Sequence, residues 1–153
     1  MSKISAGLLM YCHADNHLEV LLVHLGGPYW QRKDKGAWTF PRGEAEAGED
    51  HLAAAIREFT EETGWQSQGP YLALGEVRSR SGKTIYAWAF RGCCDPATLR
   101  SNLFEIEWPP KSGRRQQFPE IDRAGFFTIG EAQTKIMVSE LPFLNRLAEV
   151  CSK

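Results

Sequence analysis

The spacing of apolar residues changes along the chain, and the change predicts a mixed α/β fold. Residues 6–11 and 18–25 are two apolar runs on either side of His13-Ala14-Asp15-Asn16-His17, the pattern of a β-hairpin. Residues 26–36 contain Gly26, Gly27 and Pro28 and read as a loop carrying Tyr29 and Trp30. Trp38-Thr39-Phe40 is a short strand ended by Pro41, and residues 43–48 form a glycine-bounded acidic loop. The period then becomes helical. At 100° per residue, Leu52, Ile56, Phe59 and Thr63 fall within about 60° of one another and form a core face. Asp50 is placed to cap the start of this helix and Gly64 to end it. Residues 71–77 and 84–90 alternate like strands around a turn at 78–83. Further strands are expected at 103–108 and 121–128. Helices are expected at 130–138 and 143–151, the latter amphipathic through Phe143, Leu144, Leu147 and Val150. No internal repeat or linker interrupts this order. The expectation is a single domain over 1–153, of α/β class, with a mixed central sheet between helices.

Composition narrows the function more than the fold. Hydrophobic residues make up 42% and charged residues 24% of the 153 positions, as in ordinary globular domains. The formal net charge of -1 gives no basic footprint, so no DNA partner is expected. Cys12, Cys93, Cys94 and Cys151 form no CxxC pair. A zinc ribbon is therefore not expected, and the thiols read as reduced, in a cytoplasmic protein. Residues 1–11 are too short for a signal peptide, and no apolar run approaches the roughly 18 residues of a membrane span.

Glu58, Glu61 and Glu62 share a separate helix face spanning about 100°. Like charges at these spacings cost roughly 0.2–0.5 kcal/mol per pair, which a hard divalent cation such as Mg²⁺ would relieve. A solvated acidic face, with Arg57 paired to Glu61 at i+4, explains the helix equally well when it is taken alone.

The wider spacing carries more. From Gly43 to Trp65 the chain reads G, five residues, E (Glu49), seven residues, R-E (Arg57, Glu58), an apolar residue, one residue, E-E (Glu61, Glu62), one residue, G (Gly64) and an apolar residue. Seven fixed positions met by chance at one register amount to about 10⁻⁸ to 10⁻⁹ at ordinary residue frequencies. The segment resembles the box of the Nudix hydrolases, with Phe59 and Trp65 in slots where aliphatic residues are commoner. Trp38, Pro41 and Gly43 lead into it as in that family. The resemblance implies an α/β/α sandwich with the box as loop-helix-loop, and Mg²⁺-dependent (or Mn²⁺-dependent) hydrolysis of a pyrophosphate bond in a small-molecule nucleotide.

The resemblance also implies roles. Glu58, Glu61 and Glu62 with the Gly43 carbonyl are expected to bind metal, Arg57 to orient a glutamate, and Glu49 to act structurally. The general base is expected to be Glu58 or the later Glu120, which stands in Phe118-Pro119-Glu120-Ile121-Asp122. For substrate contacts the candidates are Tyr29 and Trp30 in their loop, and Arg78 and Lys83 in the 78–83 turn. Lys111, Arg114 and Arg115 form a second basic loop. Ser81-Gly82-Lys83-Thr84 lacks the spacing and the following helix of a P-loop. The chain is similar to the branch near the diadenosine-tetraphosphate hydrolases and nucleoside-triphosphate pyrophosphohydrolases. Many dinucleoside-polyphosphate members carry a Tyr about 17 positions past the box; here Gly82 is near that point and Tyr86 follows. An RNA 5′-pyrophosphohydrolase and a non-catalytic nucleotide-binding module are the alternatives.

Overall fold

The computed structural model describes residues 3–151. Among these residues nine strands and three α-helices follow in the order β1 (Ile4–Ala14), β2 (His17–Leu25), β3 (Trp38–Thr39), β4 (Arg42–Glu44), α1 (His51–Thr63), β5 (Leu72–Arg78), β6 (Thr84–Arg91), β7 (Leu103–Glu107), β8 (Arg115–Pro119), β9 (Ile121–Thr128), α2 (Ile129–Lys135) and α3 (Leu141–Cys151). Short 3₁₀ turns occupy Pro96–Thr98 and Val138–Glu140.

Strand β1 organises the sheet. Along one edge it pairs in parallel with β6, from Ile4 opposite Thr84 to Tyr11 opposite Arg91. Its other edge is shared: Tyr11 to Ala14 pair antiparallel with β2, and Ser5 to Gly7 pair antiparallel with β4. Strand β3 pairs with β2 at Val23 and His24. The segment from Trp38 to Glu44 therefore enters the sheet where β1 and β2 part, which brings Gly43 alongside Ala6. Strand β9 lines the far edge of β2, and β5 pairs with β6. Strands β7 and β8 form a separate hairpin.

Alternation along the strands divides the core into two layers. Leu9 of β1, Val20 and Leu22 of β2, and Ile85, Ala87 and Ala89 of β6 pack with α2 and α3. Ala6, Leu8 and Met10 of β1, Leu21 of β2 and Phe90 of β6 pack with α1. A strand buried on both faces reads as a continuous apolar run, as residues 6–11 do. The sheet is mixed and lies between helices, the α/β/α sandwich the sequence implied. No helix among the described residues is long and apolar enough to cross a membrane.

Several elements differ from the expected ones. Gly43 and Glu44 of the expected acidic loop belong to strand β4, and Arg115 of the second basic loop opens strand β8. The helix expected over 130–138 is α2, which begins one residue earlier with Thr128 as its cap and stops at Lys135. The Thr128 side chain accepts from Glu131 N–H while the Glu131 carboxylate accepts from Thr128 N–H, a reciprocal cap that holds the start there. In α3, Phe143, Leu144 and Leu147 are buried, whereas Val150 is 39% exposed and Cys151 continues the buried stripe.

Candidate active site

Helix α1 begins and ends as its sequence directs. The Asp50 carboxylate accepts the Ala53 N–H (3.0 Å), and Gly64 closes the last turn in the left-handed region at φ 79°. Phe59 and Thr63 are fully buried, while Leu52 and Ile56 are half-buried at the margin of the core. The buried face is turned toward Ala55 and Glu62, and Glu62 is 7% exposed. Glu62 lies only about 60° from Phe59 around the helix, so a small turn of the packed face takes it from solvent into the sheet junction.

Arg57 gathers the carboxylates on the outer side. Its Nε and Nη2 donate to the two oxygens of Glu49 (2.9 and 3.0 Å), and Nη1 donates to Glu58 (2.8 Å) and Glu61 (3.1 Å). This forked pairing holds Glu49 near pKa 2, chiefly through the Arg57 hydrogen bonds and then through the Glu46 N–H. Glu58 reaches across to β4. A Cβ at Gly43 would overlap the Glu58 carboxylate, so glycine is required for that approach.

Glu120 arrives through a chain of backbone hydrogen bonds. Arg100 N–H donates to the Thr63 carbonyl (2.9 Å) and Asn102 N–H to the Glu61 carbonyl (3.3 Å), which fastens the 100–102 segment to the end of α1. Glu120 N–H donates to the Asn102 carbonyl (2.9 Å), and Gly26 N–H to the Glu120 carbonyl (2.8 Å). Glu120 is thereby held beside Glu61 and Glu62, with the Trp30 loop attached to it.

The carboxylates strain against one another. Burial pushes Glu62 up to about 9, with Glu58 and Glu120 adding repulsion and Arg42 partly opposing it. Burial also raises Glu58, against the pull of Arg57, and raises Glu120, with Glu61 adding and Asn102 opposing. Such crowding marks a place where positive charge is lacking. The donors expected from the sequence are all oxygen: carboxylates and the Gly43 carbonyl. Among the described residues no three His, Cys, Asp or Glu side chains already close on one point. Mg²⁺ does not need such a cage, because it keeps several waters and binds through one or two carboxylates plus substrate phosphates. The donor set and its unmet charge fit that ion.

Beside the carboxylates lies a cleft of about 310 Å³ in which Glu62, Glu120 and Arg42 share the wall with Trp30, Phe104 and Ile121. Phe104 covers Gly27, where a Cβ would come within 2.7 Å of the ring and where φ is +93°. Two aromatic side chains, Trp30 from the 26–36 loop and Phe104 from β7, thus meet the acidic cluster in one cavity.

The other expected contacts are placed elsewhere. Tyr29 is 53% exposed and rests edge-on against Trp108 (5.2 Å). Arg78 lines a separate cavity with Arg80, Val138 and Ser139. Lys83 closes the β5–β6 turn, where its N–H meets the Ser79 hydroxyl (3.2 Å). Tyr86 stacks on His51 (4.4 Å), on the far end of α1 from the Glu61–Glu62 cluster. Lys111 and Arg114 are exposed in the loop between β7 and β8, and Arg115 pairs with Glu105. Trp38 is core, packed on His24 and Phe127.

Sequence reasoning missed Phe104, Asn102, Arg42 and Glu140. The alternation of β7 places Phe104 and Ile106 on one half-buried face, which was a usable signal. Arg42 stands within the Trp38–Pro41–Gly43 run already singled out. Asn102 and Glu140 carry no local signal.

The sequence matches the family model of the NUDIX domain over residues 1–147. No curated protein sequence matches it. Among solved structures, it is similar to a binary complex of the Caenorhabditis elegans Ap4A hydrolase, with a TM-score of 0.70 and 19% identity over 97% of this chain and 98% of that one. It is also similar to the NUDIX domain of Shewanella oneidensis NrtR with ADP ribose, with a TM-score of 0.66 and 14% identity over 99% and 89% of the two chains. A MutT protein from Methanosarcina mazei Go1 gives a TM-score of 0.64 and 18% identity over 99% and 96%.

Proposed function

The chain belongs to the NUDIX domain family of pyrophosphohydrolases, and we propose that it cleaves a dinucleoside polyphosphate of the diadenosine tetraphosphate type, or a nucleoside triphosphate, with Mg²⁺ as cofactor. The observation that carries this reading is the single cleft in which Glu62 and Glu120 meet Trp30 and Phe104. An acidic cluster suited to a divalent cation adjoins two aromatic faces suited to a nucleobase.

Glu58, Glu61, Glu62 and the Gly43 carbonyl would hold the cation. Bound there, it would neutralise phosphate oxygens and acidify the attacking water. Arg57 fixes the rotamers of Glu58 and Glu61 through its paired bonds. Glu120 is assigned as the general base. Burial raises the proton affinity of both Glu58 and Glu120, but Glu58 is already engaged by the Arg57 guanidinium, whereas Glu120 meets the neutral Asn102. Trp30 and Phe104 are assigned to the base. Arg78 and Lys83 lie outside the cleft and are assigned to the remote part of a longer substrate, the second nucleoside of a dinucleoside polyphosphate.

A panel of diadenosine tetraphosphate, canonical and oxidised nucleoside triphosphates, ADP-ribose and 5′-triphosphate RNA, each with Mg²⁺ and with excess EDTA, tests the reading. Turnover of the first two classes, abolished by EDTA, is expected. Turnover confined to ADP-ribose or RNA overturns the substrate class, and full turnover in EDTA overturns the metal.

A further inference from the structure

We propose that Glu140 is a positioning residue of the metal site, acting through Arg42 and Ser5 on the Gly43 carbonyl and on Glu62. The proposal rests on the assignment of Gly43 and Glu62 as metal ligands.

Glu140 is fully buried, so it touches no substrate. It lies just ahead of α3, in a turn stitched to β3 by the Met137 N–H on the Trp38 carbonyl (2.9 Å). Both its oxygens are used. Oε1 accepts from the Thr39 hydroxyl (2.6 Å), and Oε2 accepts from Arg42 Nε (3.1 Å) and Nη2 (2.8 Å). One carboxylate therefore grips the chain on both sides of Phe40 and Pro41. Pro41 has no N–H to give the sheet, although its carbonyl accepts from Leu8 N–H (3.1 Å), and the Glu140 carboxylate adds a side-chain anchor.

The grip continues to the ligands. Arg42 Nη1 donates to the Ser5 hydroxyl (3.2 Å), and that hydroxyl donates to the Gly43 carbonyl (3.2 Å). The Arg42 backbone also faces the Glu62 carboxylate, with which it borders the cleft. All three guanidinium nitrogens of Arg42 are thus engaged within the protein, one of them also facing the Met137 sulfur (3.8 Å). Arg42 lines the cleft, yet its side chain is committed, through Ser5, to holding the Gly43 carbonyl of the peptide between residues 43 and 44. A buried ion pair is seldom a net source of stability, but it fixes geometry because neither partner can leave. Groups behind metal ligands commonly govern affinity by orienting them.

Mn²⁺ affinity of the metal-free, nucleotide-free protein, read by electron paramagnetic resonance of free Mn²⁺, tests this apart from activity. Thermal midpoints are taken on the same samples. Glu140→Gln should weaken Mn²⁺ binding roughly 10–100-fold. Ser5→Ala cuts the last link without stranding a charge and should weaken it by a smaller factor. The double variant should bind no worse than Glu140→Gln alone; additive losses would place the two effects on separate paths and overturn the relay. Replacing both charges, in Arg42→Met with Glu140→Leu, should restore the midpoint but not the affinity. Should that pair and Ser5→Ala bind Mn²⁺ like the parent, Glu140 is a structural residue only. If Glu140→Gln does not fold, these two variants decide the matter. A parent that binds no Mn²⁺ overturns the ligand assignment and the relay together, whereas a binding parent with unaffected variants overturns the relay alone.

Discussion

The backbone N–H of Glu120 donates to the carbonyl of Asn102 at 2.9 Å, and Asn102 in turn hangs from the last turn of α1 through Glu61. A glutamate 58 residues beyond Glu62 in sequence is thereby built into the same acidic cluster. That link separates Glu120 from an ordinary loop carboxylate.

Glu120→Gln at saturating Mg²⁺ should lower kcat by about 10²–10⁴-fold with little change in KM, the signature of a lost general base. The acidic limb of the pH–rate profile should flatten with it. Parental kcat and an unchanged limb in steady-state assays would return the role to Glu58.

Glu62→Gln should alter stability in the absence of metal in a pH-dependent way. The folded-state pKa of Glu62, about 9, lies above its ordinary value of 4.5. Between these values the native protein holds a proton that the unfolded chain has released, so the contribution of Glu62 to stability falls as pH rises through that window. In EDTA, the thermal midpoint of the parent should therefore drop relative to Glu62→Gln from pH 5 to pH 9. Mg²⁺ should raise the parent midpoint and leave that of Glu62→Gln nearly unmoved. Parallel midpoints across the range would show that Glu62 is not under this strain.

Trp30→Ala and Phe104→Ala should raise KM with kcat largely kept. Stacking of a base on an aromatic ring is worth roughly 1–3 kcal/mol, or about 5–150-fold. Tyr29→Ala, outside the cleft, should change KM far less. Arg78→Ala should raise KM for diadenosine tetraphosphate and leave that for a nucleoside triphosphate unchanged. Equal effects on both substrates in initial-rate assays would place Arg78 in the triphosphate site instead.

Phe59→Ala should cost about 3–5 kcal/mol in urea unfolding, since the ring is fully buried among Phe90 and the strands under α1. Ile56→Ala should cost less, because Ile56 lies at the half-buried margin. A larger loss at Ile56 would mean that the helix packs in the phase its apolar periodicity alone suggested.

The features legible in residue order alone are local. The cap at Asp50, the stop at Gly64, the box spacing and the shared face of Glu58 and Glu61 all follow from helix geometry. That geometry repeats over a few residues and is written in their order. The two core layers were also legible, because alternation along a strand sends successive residues to opposite faces. Long-range packing set everything that depends on which distant segments meet. The phase of α1 against the sheet buried Glu62, although its spacing placed it with the other glutamates. Cross-chain hydrogen bonds carried Glu120 to α1, the entry of residues 38–44 between β1 and β2 set Gly43 against Glu58, and packing laid Phe104 over Gly27. Glu140 reaches Arg42 across 98 residues. No local period encodes such a pairing, because it exists only once the sheet and helices have closed around a carboxylate that burial obliges to find its partners.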